Sequence, residues 1–116
     1  MLSKKDRITK ETFLSVMKNG KTLSNPLFVF RYLVIKNQDN KVKNNKITPK
    51  FAFVAPKSVA KQAVLRNKLR RQGYNALRKN KQLPYVIGIF FYKKGTSKVV
   101  FNEIKDSVKE ILSKIN

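Results

Sequence analysis

Between Val64 and Asn80 the sequence reads VLRNKLRRQGYNALRKN, seventeen residues with six cations, three asparagines, one tyrosine and no acid. Guanidinium and ammonium groups supply positive charge and hydrogen-bond donors, the amides add further donors and acceptors, and the phenol adds a flat ring. Such a set binds phosphates and stacks on planar rings. The chemistry expected of this stretch is recognition of a polyanion.

The rest of the chain points the same way. Over 116 residues, 27 Lys and Arg stand against 6 Asp and Glu, a net charge of +21. The acids are Asp6, Glu11, Asp39, Glu103, Asp106 and Glu110, so positions 40–102 hold none while carrying sixteen cations. A charge run is ordinarily a solvated face interleaved with the opposite sign. Here the interleaving is missing, and a partner that neutralises the repulsion is expected. The two cation types are also placed differently. The 21 Lys are scattered, whereas four of the six Arg, namely Arg66, Arg70, Arg71 and Arg78, fall in the opening stretch. Guanidinium forks suit bidentate contacts to phosphates and base edges better than ammonium does, which suggests directed recognition.

Cysteine and histidine are absent, which removes disulfides, thiolate nucleophiles, most zinc sites and imidazole bases together. That suits a reducing cytoplasm. The MLSKKDRITK start has no apolar segment behind its cations, and no run approaches the roughly 18 apolar residues of a membrane span. A soluble cytoplasmic protein, neither secreted nor membrane-bound, is expected. A nuclease working alone through two metals needs clustered carboxylates. The acids lie in the terminal helices or a polar connection, so no catalytic or metal-ligating residue is assigned. A reader of the DNA major groove would need a partner helix just before the basic one, and none is evident.

These side chains need elements to hold them. ITKETFLSVMKNG reads as a short helix, with Thr9 at the N-cap, Phe13, Val16 and Met17 at helical spacing, and Gly20 closing it in the left-handed conformation. A strand is possible at Lys21–Leu23, a turn follows at Asn25-Pro26, and the β-branched and aromatic run from about Leu27 to Ile35 is a strand. The stretch 37–49 is polar and aperiodic, an exposed connection. KFAFVAP is the next strand, ended by Pro56, and QLPYVIGIFFY, a continuous apolar run, is a buried central strand. In the last segment Val100, Ile104, Val108, Ile111, Leu112 and Ile115 share one helical face. The order is helix, two or three strands, helix, strand, helix: one α+β domain over 1–116 with a small sheet.

At about 100° per residue the basic helix has two sides. With Arg66 at 0°, Arg70, Arg78 and Arg71 fall at about 40°, 120° and 140°, with Asn67 and Tyr74 among them. Leu65, Ala76 and Leu69 fall on the other side, at about 260–300°, a stripe extended by Gly73 and Leu77 towards Arg66. That stripe is needed to dock the helix on its own domain, which favours nucleic acid over membrane as the partner of the outer face. Gly73 costs about 1 kcal/mol relative to Ala in a helix, and close approach to the sheet is the readier reason for it than close approach to RNA. Tyr74 is equally readable as a base-stacking ring or an ordinary amphipathic one. Phe13, Met17, Phe28 and Phe30 need no role beyond the core.

The string RNKLRR at Arg66–Arg71, with FAFVAPK and Ala63-Val64 before it, resembles the signature of the bacterial ribonuclease P protein family. DRITKETFLSVMKNGKTLSNPLFVF is similar to that family's opening. The resemblance covers nearly the whole chain. It implies an α-β-β-β-α-β-α fold with the motif helix in a left-handed crossover, like the second domain of a small-subunit ribosomal protein. It also implies a ribonucleoprotein that removes the 5′ leader of precursor tRNA, with catalysis by an RNA subunit that holds most of the Mg2+. Its implied partners are that RNA and the leader, with no obligate protein partner.

Carried over, Arg66, Asn67, Lys68, Arg70, Arg71, Tyr74 and Arg78, with Lys57 and Lys61 ahead of the helix, form the RNA-binding set. Phe13, Met17, Phe28, Phe30 and Arg31 form the leader cleft. The sequence departs from the family pattern where Lys68 replaces the motif's second arginine, where Pro56 and Ser58 flank Lys57 in the usual Ser-Lys-Lys turn, and where Met17, Arg31 and Gly73-Tyr74 occupy positions of other types. A structural RNA-binding protein of ribosomal type, without a role in cleavage, shares the size, charge and architecture.

Overall fold

The computed structural model describes residues 8–35, 49–80, 83–96 and 98–115. The polar connection expected at 37–49 falls, but for position 49, outside them, as does the lead as far as Arg7.

Strand β1 (Lys21–Ser24) turns through Asn25-Pro26 into β2 (Phe28–Val34), and β3 (Lys50–Val54) and β4 (Val86–Tyr92) complete a sheet of order β1-β2-β4-β3. β2 pairs antiparallel with β1 and β4, whereas β3 runs parallel to β4. Parallel neighbours require a crossover. Helix α2 (Ala63–Arg78) is that crossover, with α1 (Lys10–Asn19) before the sheet and α3 (Phe101–Ser113) after it. The expected α+β class and element order hold, and β4 lies inside the sheet as its unbroken apolar run implied.

Strand residues alternate between faces, so the register sorts the rings. Phe28 opposite Tyr92, Phe30 opposite Phe90, and Phe53 opposite Phe90 share one face. There Phe53 stacks on Phe90 at 4.6 Å and Phe28 meets Phe90 edge-on at 5.3 Å. Leu69, Ala76 and Leu77 of α2, with Ile104, Val108, Ile111 and Leu112 of α3, close this core. Val100, expected on the same α3 stripe, instead precedes the helix at its N-cap and is 59% exposed.

Two glycines make room for rings. A Cβ on Gly88 would run into Phe30, and one on Gly73 into Phe53. The helix-weakening Gly73 is thus explained by the approach of α2 to the sheet. From β4 the Tyr92 hydroxyl donates to the Leu69 carbonyl at 2.6 Å, and burial raises the pKa of that phenol.

At the β1–β2 turn Asn25 is buried. Its Oδ1 accepts from the Leu27 and Phe28 amides at 3.0 and 2.9 Å, and its Nδ2 donates to the Ser107 carbonyl of α3 at 3.1 Å.

Helix α1 lies on the opposite face. The Thr9 hydroxyl accepts from the Thr12 amide at 3.2 Å, as expected of an N-cap. Glu11 and Lys18 stand at the ends where the helix dipole favours each sign. Gly20 ends the helix with φ −77°, in extended backbone rather than the left-handed conformation anticipated. Glycine is needed there because a Cβ would meet the Val16 carbonyl oxygen.

Candidate nucleic-acid interface

Helix α2 begins after a turn in which the Val59 and Ala60 amides donate to the Pro56 carbonyl. Gln62 is the N-cap and makes no side-chain cap, and the first turn holds no acid. Arg66, a donor and a cation, cannot cap the amides of that turn; it acts on the chain that enters the helix. Its Nη1 donates to the Ala60 and Lys61 carbonyls at 3.0 and 2.8 Å, fastening the entering chain to the helix. Arg66 is accordingly half-buried. Of the arginines expected on the outer face, it is the one tied to the protein's own backbone.

The others stand outward. Asn67, Lys68, Arg70, Arg71 and Arg78 are exposed, while Leu69, Gly73, Ala76 and Leu77 are buried beneath them, which is the division read from the angles. Arg66 and Arg70, four residues apart, carry like charge, an arrangement that weakens an isolated helix. Asn67 Oδ1 accepts from Arg70 Nη2 and gives that guanidinium a local partner. The helix itself is held by its buried stripe.

Asn67, Arg70, Arg71, Tyr74, Asn75 and Arg78 line one open depression. Tyr74 is half-buried, with its ring against Phe53 at 5.0 Å and 74°, so packing holds the ring while it lines the depression. Both readings of this tyrosine therefore have a structural basis. Asn75 escaped the sequence reading, since an amide about 180° round the helix from Arg66 carries no charge signal. Lys57 and Lys61 are exposed in the segment that enters α2. The arrangement offers guanidinium forks, amides and one held ring to phosphates and bases.

The second expected surface is corrected in part. Phe28 and Phe30, assigned to the leader cleft, are fully buried in the α2–α3 core and are not available to a ligand. Their neighbours in sequence lie on the face that α1 partly covers. There Phe13 is half-buried and meets Phe91 edge-on at 6.3 Å, and Met17 is 38% exposed. Val29 and Leu33 of β2, Ala52 and Val54 of β3 and Phe91 of β4 share that face and are half-buried. None of these five was among the residues the sequence reading assigned to the cleft.

Arg31, also assigned to the cleft, is turned to the protein itself. Its Nη2 donates to the Met17 and Gly20 carbonyls at 2.6 and 3.1 Å, and its Nη1 to Thr22 Oγ1 at 2.7 Å. Its Nε is buried without a partner among the described residues. The guanidinium thus pins the C-terminal end of α1 to β1 and β2, holding in place the helix that carries Phe13 and Met17.

Among the described residues no three His, Cys, Asp or Glu gather as metal ligands, and no helix is long and apolar enough to cross a membrane. The chain matches the family model described as Ribonuclease P over residues 2–116. Among solved structures it is similar to the RNase P protein of Thermotoga maritima, with a TM-score of 0.76 at 25% identity over 95% of this chain and 97% of that one. It is also similar to the Staphylococcus aureus RNase P protein, with a TM-score of 0.75 at 20% identity over 95% and 94%. No curated protein matches the chain.

Proposed function

The chain belongs to the ribonuclease P protein family, and from that membership we propose that it is the protein subunit of the ribonuclease P ribonucleoprotein, assisting the endonucleolytic removal of the 5′ leader from precursor tRNA. Membership carries with it an RNA partner and a place in tRNA processing. The observation that supports the finer reading most is the outer face of α2, where Asn67, Arg70, Arg71 and Arg78 stand exposed around Tyr74.

In this reading the α2 face, with Lys68 and with Lys57 and Lys61 on its approach, binds the catalytic RNA. The half-covered face of the sheet beneath α1 takes the single-stranded leader, with Phe13 and Phe91 offering rings to unpaired bases. Arg31 acts there as a positioning residue. The protein's cations offset repulsion between leader, precursor and catalytic RNA, so less magnesium is required. Magnesium is assigned to the RNA subunit, which supplies the chemistry. Among the described residues no three His, Cys, Asp or Glu gather to hold it. The compartment that suits this role and the lack of cysteine is the cytoplasm.

The test is cleavage of a precursor tRNA by a bacterial ribonuclease P RNA at low magnesium, with and without this protein, beside a protein-only control. Correct 5′ cleavage only when RNA and protein are together is the expected result. Failure of folded protein to rescue a compatible RNA would overturn the assignment in favour of a ribosomal-type binder. Cleavage by the protein alone would contradict the absence of a catalytic residue.

A further inference from the structure

The depression on the outer face of α2 does not end there. A second depression is lined by Gln72, Asn75, Arg78 and Lys79 of the α2 end and by Phe101 at the start of α3. It shares Asn75 and Arg78 with the first. A third is lined by Lys79, Asn80, Lys105, Asp106 and Lys109, and shares Lys79 with the second. The three form one open track that follows α2 and then crosses its C-terminal end onto α3. At about 1.5 Å per residue, the part from Asn67 to Lys79 alone follows about 18 Å of helix.

The charge on α3 is sorted along this track. With Lys105 at 0°, Lys109 lies at about 40°, whereas Asp106, Glu110 and Glu103 lie at about 100°, 140° and 160°. The buried stripe, with Phe101 and Leu112 at its edge, adjoins the lysines on their other side. The lysines therefore flank the seam with α2; Asp106 still lines the third depression beside them, whereas Glu110 and Glu103 lie outside the linings.

We propose that the RNA-binding surface extends past the motif helix, with Lys79, Lys105 and Lys109 contacting the phosphate backbone of the RNA strand that Arg70, Arg71 and Arg78 engage on α2. Neighbouring phosphates along one strand need cations that recur along a path, which the track provides. The amides of Gln72 and Asn75 add donors between them. This extension rests on the assignment of α2 to the catalytic RNA.

The experiment measures binding of full-length protein to ribonuclease P RNA as a function of salt. It compares Lys105→Gln/Lys109→Gln with Lys98→Gln/Lys114→Gln, an equal loss of charge at exposed positions outside the lining of the track. Arg70→Ala/Arg71→Ala is run beside them, with circular dichroism confirming the fold of each. The Lys105/Lys109 pair is expected to flatten the slope of log K against log salt by about 0.7–0.9 for each phosphate no longer neutralised, the Lys98/Lys114 pair to leave it unchanged. Equal slopes for the two lysine pairs would overturn the track, even if the arginine pair flattens the slope. An unchanged slope for the folded arginine pair would instead defeat the assignment of α2 itself, and the extension with it.

Discussion

The two faces of the sheet are made from the same strands and finished in opposite ways. On the α2–α3 side Phe28, Phe30 and Phe90 are wholly buried among Phe53, Tyr92 and two helix stripes. On the other side a ten-residue helix gives partial cover, with Val16 of α1 and Ile89 of β4 wholly buried and Phe13, Val29, Leu33 and Phe91 left half-buried. Aromatic residues are thus used twice over. Sealed from water they hold the domain together; half-covered, they keep surface available for a ligand while a buried residue or two and the Arg31 pin locate the helix above them.

The comparison is broken most directly by deleting one ring from each side. Phe30→Ala is expected to cost about 3–5 kcal/mol in urea unfolding, the range for a buried aromatic side chain. Phe13→Ala should cost about 1 kcal/mol or less while reducing the preference for precursor over mature tRNA in the ribonucleoprotein. Similar stability losses from both would erase the distinction between the faces.

A smaller effect sharpens the account of the closed side. By helix propensity alone Gly73→Ala should stabilise α2 by about 1 kcal/mol. The added Cβ would run into Phe53, whose ring is fixed by stacking on Phe90, so a net loss of about 1–3 kcal/mol is expected from overpacking. A rise in stability would mean that α2 does not approach the sheet so closely.

The smallest expected effect is that of Tyr92→Phe, about 0.5–1.5 kcal/mol at neutral pH from removal of the hydrogen bond to Leu69. It carries a pH signature. Burial makes the folded state hold the phenolic proton beyond the ordinary tyrosine value of 10. The stabilisation from the neutral phenol is complete below that value and is lost as pH rises above it. The stability gap between the native chain and Tyr92→Phe should therefore begin to close near the ordinary tyrosine value of 10 and keep shrinking as pH rises above it. A constant gap would mean the hydroxyl is not buried.

The basic helix was legible because charge and apolarity separate along it: Arg70, Arg71 and Arg78 outward, and Leu69, Gly73, Ala76 and Leu77 inward. Its angular pattern needs no knowledge of the rest of the fold. The strands were legible as strands, but not in their sidedness. Alternation in LFVFRYLV states that Phe28 and Phe30 share a face; it does not state which face two helices will close. That sign is set by where α1 and α2 pack, a contact between distant parts of the chain, and it buries Phe28 and Phe30 while leaving Phe91 half-buried on the other face. Arg31 lies on the α1 side, yet its charge alone gives no sign that the carbonyls of Met17 and Gly20 lie within 3.1 Å.

The side chain of Asn25 is completed by a carbonyl 82 positions further along. In a chain made from its N-terminus, the β1–β2 hairpin is made well before Ser107, and until then Asn25 Nδ2 lacks the carbonyl it binds in the folded domain. The aromatic row of β2 waits likewise for the cover that α3 supplies. Contacts between such distant residues slow folding, because the intervening chain must be closed into a loop first. During synthesis the sixteen cations of 40–102 therefore emerge before the domain can be latched, and an RNA met in that interval would meet an unfinished chain. The first turn made is secured by the last helix.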